Sequence, residues 1–372
     1  MTEPDWSDLL PEMAGDILCP LPSLADRARF RSVCRSWRLA AQKQLPPAFP
    51  WLTTSWNDSD VLDFISLPDG ALHRLPARVD DTRCCDRHYT SEESLVYEVY
   101  NTRDDTAVDH VLLVDPFSET SMTLPKSSPY FLNKLLLCSD NLVAAILYRR
   151  SRHAVAFSRP GAAGSWSVHH PPGLDRDVPC LDDIALHGGK LYAFYHYDLY
   201  AYDLRDDDDG AGEPKFTCLP CCMSSSSAIL HGLDFNIATL FLVPSWNGNK
   251  LFVVVHEHRR KFTVLQLEAD HDNAYRWSAE MRSLDDELLF RGIEGLSLRR
   301  RHARKPHLLY HVCEYNCFIA PTHMSYDERE ISDARVYDMS SKTVRSIFPH
   351  EPWHKLGLNY EPKGSWIFPS SA

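Results

Sequence analysis

The run His110-Val-Leu-Leu-Val-Asp115-Pro-Phe-Ser-Glu-Thr-Ser-Met-Thr-Leu-Pro125 decides the fold. An apolar strand leads into a polar turn, and a second short strand ends on proline. The same order of features recurs at Val61 to Pro76, with Asp69-Gly70 in the turn. Looser copies run from Ala154 to Pro171, from Leu199 to Pro220 and from Ala334 to Pro349. The closing residues Pro76, Pro125, Pro171 and Pro220 are 49, 46 and 49 residues apart. A further unit fits if Phe262 to Leu267 pairs with Arg276 to Leu284, which leaves longer gaps of 64 and 65.

An additional apolar strand stands upstream of most pairs, at Leu95 to Tyr100, Leu142 to Leu147, Leu191 to Tyr195, Leu251 to Val255 and His307 to Val312. Asp140-Asn141, Gly188-Gly189 and Asn247-Gly248 precede three of them and supply the positive φ that tight turns need. The unit is thus three or four strands, and six units fill the chain from about 51 to 372. A period near fifty with several antiparallel strands per unit points to a β-propeller, here of six blades. An irregular all-β sandwich is the alternative. The final Gly364-Ser-Trp366-Ile-Phe-Pro369 reads as a closing strand paired with Trp51-Leu-Thr-Thr54 in the first blade.

Ahead of the repeats lies a different pattern. Leu10, Met13, Ala14, Ile17, Leu18 and Leu21 recur at helical spacing, with Pro11 placed as a first helical residue and Pro20 and Pro22 as stops. Ser23 and Asp26 have the spacing of a capping box, so a second helix begins at Leu24, with Phe30, Val33, Cys34, Trp37 and Ala41 as its stripe. About forty residues bury too little surface to be comfortable alone, which leaves an apolar surface in need of a partner. Gln44-Leu-Pro46-Pro47-Ala-Phe-Pro50 forbids helix and favours an extended spacer. The organisation is therefore α+β and multidomain: a helical module over 1–43, a linker over 44–50 and a propeller over 51–372.

The helical residues resemble the F-box, which joins substrate receptors to the Skp adaptor of SCF-type ubiquitin ligases. The matching positions are Leu9-Leu10-Pro11-Glu12, Ile17, Leu21, Asp26 and Val33-Cys34-Arg35-Ser36-Trp37-Arg38. Leu10 replaces the first proline of the family pattern, and Met13-Ala14-Gly15 stands where longer aliphatics are preferred. The region after Pro50 resembles the kelch-like C-terminal domain of a large group of plant F-box proteins. That likeness rests on Val114 to Pro125, on Leu199 to Leu204 and on the Trp366-Ile-Phe-Pro ending. The resemblance implies a receptor that docks on a Skp-type adaptor, and through it on cullin, while the propeller holds a protein target for ubiquitination. It implies no catalytic residue and no cofactor. Adaptor contact would fall to Leu9, Leu10, Pro11, Ile17, Leu21, Val33, Cys34 and Trp37, although Trp37 above all could instead hold the helices together. Loops at Tyr195, Tyr197 and Trp246, and the insertion over 322–333, are candidate target contacts because propellers recognise partners through loops on one face.

Composition sets outer limits. The net charge of −12 argues against a nucleic-acid surface, which is usually basic. No apolar run approaches the ~20 residues of a spanning helix, and the first residues lack the pattern of a secretory signal. Eleven cysteines then read as reduced thiols in the cytosol or nucleus. Cys218, Cys221 and Cys222, and His311, Cys313 and Cys317, have metal-like spacings, yet cysteine is also a common small core residue of strands. His169-His170 and His256-Glu257-His258 lack a third ligand, and Cys84-Cys85 in a loop rich in Asp and Arg reads as two ordinary thiols. Asp206 to Asp209 reads as a solvated turn rather than a calcium loop, and Arg299 to Lys305 as a nuclear-import patch or an exposed connection. The remaining alternatives are a propeller enzyme or metal-binding protein, or a non-degradative scaffold, with a degenerate F-box.

Overall fold

The computed structural model describes residues 6, 9–18, 21, 24–44, 49–53, 61–67, 70–76, 84–91, 94–101, 104–115, 120–139, 142–149, 152–161, 164–170, 181–195, 198–204, 215–218, 238–245, 248–257, 261–269, 275–284, 287–291, 295–299, 308–312, 334–347 and 366–367. Alternating apolar runs broken by turn residues form strands, and these group into sheets along the chain. The first sheet holds β1 (Trp51–Thr53), β2 (Val61–Ser66) and β3 (Leu72–Pro76). The second holds β4 (Cys84–Ser91), β5 (Ser94–Asn101), β6 (Asp104–Val114) and β7 (Ser121–Pro125). The third holds β8 (Phe131–Ser139), β9 (Leu142–Arg149), β10 (Arg152–Ser158) and β11 (Ser167–His169). In the fourth are β12 (Leu181–His187), β13 (Lys190–Tyr195), β14 (Asp198–Asp203) and β15 (Lys215–Cys218). In the fifth are β16 (Ala238–Pro244), β17 (Leu251–Glu257), β18 (Lys261–Ala269) and β19 (Tyr275–Trp277). The sixth has five strands, β20 (Glu287–Arg291), β21 (Gly295–Arg299), β22 (Leu308–Val312), β23 (Ala334–Asp338) and β24 (Thr343–Ser346), with β20 and β22 parallel. The last strand, β25 (Trp366–Ile367), returns to the first sheet.

The sheets form a ring. β4 lies against β8, β8 against β12, β12 against β16 and β16 against β21, and β25 lies against β4. Between neighbours the cores are continuous: Val143 and Leu147 join the second and third sheets, Ile146 and Tyr202 the third and fourth, and Phe194 and Trp277 the fourth and fifth. Phe262 and Tyr337 join the fifth and sixth. This is an all-β propeller preceded by three short helices. The strand upstream of each repeat pair is present, and in the second to fifth sheets a further strand precedes it, β4, β8, β12 and β16, and lies nearest the ring centre. Cys84-Cys85, expected in a loop, begins β4 instead.

Turn chemistry follows the residues. Gly188 and Gly189 join β12 to β13 with φ of +56° and +74°, the double positive value of a type I′ turn. Gly248 has φ +67° in a turn that Ser245 holds at both ends, accepting from the Lys250 amide at 2.8 Å while its own amide donates to Lys250 O at 2.8 Å.

Closure uses the two ends of the propeller. Trp51 pairs with Ile367 and Leu52 with Trp366, the pairing expected from the sequence. Trp366 meets Phe290 at 5.6 Å between ring centroids, and Phe290 meets Phe49 at 6.1 Å, both edge-on. Phe49 and Pro50 are buried and Gln44 is still helical, so the spacer expected over 44–50 is entered from both sides.

One charged pair is built into the centre. Lys134 on β8 and Asp183 on β12 are both almost fully buried and meet at 2.8 Å. Lys134 Nζ also donates to Ile184 O at 2.8 Å. Asp183 Oδ1 accepts from the Ile184 amide and Oδ2 from the Leu242 amide on β16, each at 2.8 Å. Burial pushes the Asp183 carboxyl up, opposed by the Lys134 ammonium and these amides. The pair therefore ties three successive sheets at their innermost strands.

Lys134→Met is expected to lower the unfolding free energy by about 3–5 kcal/mol, because it leaves Asp183 buried without its counter-charge. Adding Asp183→Asn should recover only part, and urea unfolding of the full chain measures both. Trp366→Ala should cost a similar ~3–5 kcal/mol through the cavity it leaves at the closure.

Candidate functional site

The N-terminal module comprises α1 (Pro11–Leu18), α2 (Leu24–Ser32) and α3 (Arg35–Gln44). Pro11 opens α1 and Leu24 opens α2 as the sequence requires, whereas the second stripe breaks at Val33-Cys34 into two helices. Cys34 supplies the reason. Its Sγ accepts from the Trp37 amide at 3.4 Å, which makes it the cap of α3. Its carbonyl accepts from the Arg38 amide at 3.1 Å as the first helical bond.

Burial divides the predicted contacts into two groups. Ala14, Leu18, Phe30, Ala40 and Ala41 form the small core, and Leu9, Leu21 and Trp37 pack against it. Trp37 stacks on Phe30 at 4.4 Å, and its Nε1 donates to Trp6 O at 2.7 Å. Trp37 thus holds the helices together. Arg27 is buried, with Nε donating to Leu21 O at 3.2 Å. By contrast, Leu10 is 60% exposed, Met13 52%, Ile17 36% and Val33 58%. The single stripe read along α1 is really two: Ala14 and Leu18 turn inward, while Leu10, Met13 and Ile17 turn outward at spacings of three and four residues.

The outward stripe is the candidate site. Glu12 and Asp16 stand exposed beside it on α1, and Arg29, Arg35 and Arg38 are exposed on α2 and α3. Arg29 is held to Asp26 at 2.7 Å and Arg38 Nε donates to Arg31 O at 3.3 Å. The arrangement offers apolar anchors with charge around them, the anatomy of a protein-binding patch. Met13 and Leu39, exposed here as well, were not among the predicted contacts. Met13 was legible as part of the stripe, but only the helix packing shows which way it points. The Pro11 side chain lies outside the described residues.

The propeller candidates fare differently. Tyr195 ends β13 and is buried in the core between the third and fourth sheets, edge-on to Tyr200 at 5.5 Å. It is not a loop contact, and burial pushes its phenol up to about 12. Tyr197, Trp246 and the 322–333 insertion lie outside the described residues. His169 bonds Ser167 at 3.0 Å and packs edge-on to Phe157, while His256 stacks on Phe262 at 4.3 Å. Both are strand histidines in aromatic surroundings. Among the described residues no three His, Cys, Asp or Glu side chains gather as a metal site; Cys221, Cys222, His258, Cys313, Cys317, Asp206 to Asp209 and Arg300 to Lys305 lie outside them.

A family described as the KIB1-4 beta-propeller matches residues 64–338, from within β2 to the end of β23. The chain belongs to this family. The match covers most of the KIB1-4 ring but not the helical module, β1, β24 or the closing strand. No curated protein matches the chain. Among solved structures, a putative 6-phosphogluconolactonase from Bacteroides uniformis is similar at 11% identity, over 80% of this chain and 81% of that one, with a TM-score of 0.39. The periplasmic gluconolactonase PpgL of Pseudomonas aeruginosa is similar at 13% identity, over 80% and 94%, with a TM-score of 0.38. Hsv2 of Kluyveromyces lactis is similar at 10% identity, over 63% and 73%, with a TM-score of 0.35.

Trp37→Ala should unfold the helical module, through loss of the Phe30 stack and a cavity worth about 3–5 kcal/mol. Leu10→Ala and Val33→Ala should change stability by no more than about 0.5 kcal/mol, since both side chains are exposed. Helical circular dichroism followed through thermal unfolding separates the two groups.

Proposed function

We propose that the chain is the substrate-recognition subunit of an SCF-type ubiquitin ligase. The helical module acts as an F-box that docks on a Skp-type adaptor, and a six-bladed, kelch-like propeller holds a protein target. The observation that carries this reading is the exposed stripe of Leu10, Met13 and Ile17 with Val33, on a module whose core is satisfied without them. Four large apolar side chains on a module this small mark an interaction surface rather than scattered exposure. The ring of six sheets, each taken as one blade, supports a rigid carrier for the target.

Catalysis in this reading is positional. The chain forms no bond itself. It raises the effective concentration of a target lysine near the charged conjugating enzyme, as converting an encounter into an intramolecular step does. Such a subunit works in the cytosol or nucleus, where the adaptor, cullin and target meet, and needs no cofactor, membrane or nucleic acid.

Co-purification of the full chain with a Skp-type adaptor tests the reading. Leu10→Ala combined with Ile17→Ala and Val33→Ala should weaken capture roughly a hundredfold, if each anchor contributes about 1 kcal/mol. Equal recovery of the triple variant, or no capture of the wild-type chain, overturns adaptor docking. A stable complex that leaves the half-life of every co-purifying protein unchanged on deletion of the gene would favour the scaffold alternative.

A further inference from the structure

Ser32 ends α2 within the basic half of the helical module. Between residues 24 and 44 six Lys or Arg stand against one acid, Asp26. The order around the hydroxyl is Arg29-Phe30-Arg31-Ser32-Val33, and no other Ser or Thr of the sequence has Arg both one and three residues before it. Ser36 has Arg35 before it but Val33 at the earlier position, and the packed Trp37 after it. Arginine forks at fixed distances from a hydroxyl are what an acidic kinase groove selects, through charge-assisted pairs, while an apolar next residue fills the adjoining pocket.

The fold presents the hydroxyl and its flanks. Ser32, Arg29 and Val33 are exposed, and Arg31 is half-buried. Ser32 Oγ donates to Arg29 O at 2.7 Å, a bond within the last turn that water can replace at an exposed position. Arg29 pairs with Asp26 at 2.7 Å, an exposed ion pair of small worth to the fold. A kinase reads its target in extended form, so the last turn of α2 has to open. Helix ends fray, and the chain already leaves the helix at Val33, before Cys34 caps α3. Of the five residues only Phe30 is buried, and its stack on Trp37 is the contact that opening gives up.

We propose that Ser32 is a phosphorylation site that turns off adaptor docking, modified by a serine kinase with an acidic substrate groove. Ser32 Oγ attacks the γ-phosphorus of ATP; the Oγ–P bond forms as the bond to the ADP oxygen breaks, and the hydroxyl proton passes to the kinase's base. The product carries close to two negative charges beside Val33, one of the four exposed side chains of the docking surface. A partner that covers Val33 must then desolvate the phosphate or leave Val33 uncovered. The charge also falls at the C-terminal end of α2, where the helix dipole is already negative, and it competes with Asp26 for Arg29. Both effects oppose docking, and by linkage docking opposes modification, since a covered last turn cannot open. The inference rests on the reading of the helical module as the adaptor-docking unit.

Incubation of the full chain with ATP and the catalytic subunit of cyclic-AMP-dependent kinase, the acidic-groove enzyme used as probe, tests it. Phosphopeptide mass spectrometry should find phosphate at Ser32, absent there in Ser32→Ala and reduced at least tenfold in Arg29→Ala. Capture by a Skp-type adaptor should fall at least tenfold on phosphorylation and return on phosphatase treatment, whereas kinase-treated Ser32→Ala should be captured as the untreated chain is. Adaptor bound beforehand should slow incorporation at Ser32. Helical circular dichroism should be the same before and after modification, which separates lost docking from lost fold; loss of helix would overturn the switch. No phosphate at Ser32, or a phosphorylated chain captured as well as before, also overturns it. Failure to capture even the unmodified chain removes the docking reading and the switch with it, while equal capture of both forms removes the switch alone.

Discussion

Everything in the propeller depends on the pairing of two residues near the C-terminus, Trp366 and Ile367, with Leu52 and Trp51 near the start of the ring. An open chain of sheets would leave its first and last members with an unpacked face. Closure places Trp366 over Phe290, so the first and sixth sheets share one core with Leu52, Ile65 and Val336. It also buries Phe49, the residue through which the helical module is tied to the ring. About five residue steps separate Phe49 from Gln44, a span of no more than ~18 Å when fully extended. The seam that closes the ring is therefore also the mount for the helices.

The Lys134 and Asp183 pair shows a second constraint. Innermost strands of a propeller converge, and backbone groups at their edges must be satisfied there. Asp183 does this for the Leu242 amide of the next sheet while taking Lys134 from the previous one. A hydrophobic pair of similar volume would pack, but it would leave that amide and the Ile184 carbonyl without these partners. The pair's contribution is thus one of alignment between sheets more than of net stability.

The helical module solves the problem of a small core by economy. Ala14, Ala40 and Ala41 let the three helices approach closely, and Phe30 with Trp37 fills what remains. This leaves Leu10, Met13, Ile17 and Val33 outside, where an interaction surface can be built without cost to the fold.

Much was legible before any coordinates. Periodic strands, the proline-punctuated repeat, the closing Trp366, the glycine turns and the onset of α1 and α2 all follow from local pattern, because alternation, φ preferences and helix stops act over a few residues. Other features did not follow. The stripe on α1 could not be split into inner and outer halves, since both share helical spacing and only packing against α3 decides between them. Tyr195 stands where the apolar run from Leu191 meets His196-Tyr197, so local pattern allowed it as a strand end or a loop contact, and the adjacent sheet buries it. The meeting of Lys134 with Asp183 across 49 residues of sequence depends on ring geometry. Sequence by itself determined the elements, their repeat and the helical preface, whereas tertiary structure alone decided which side chains face a partner, because facing is a property of how elements pack.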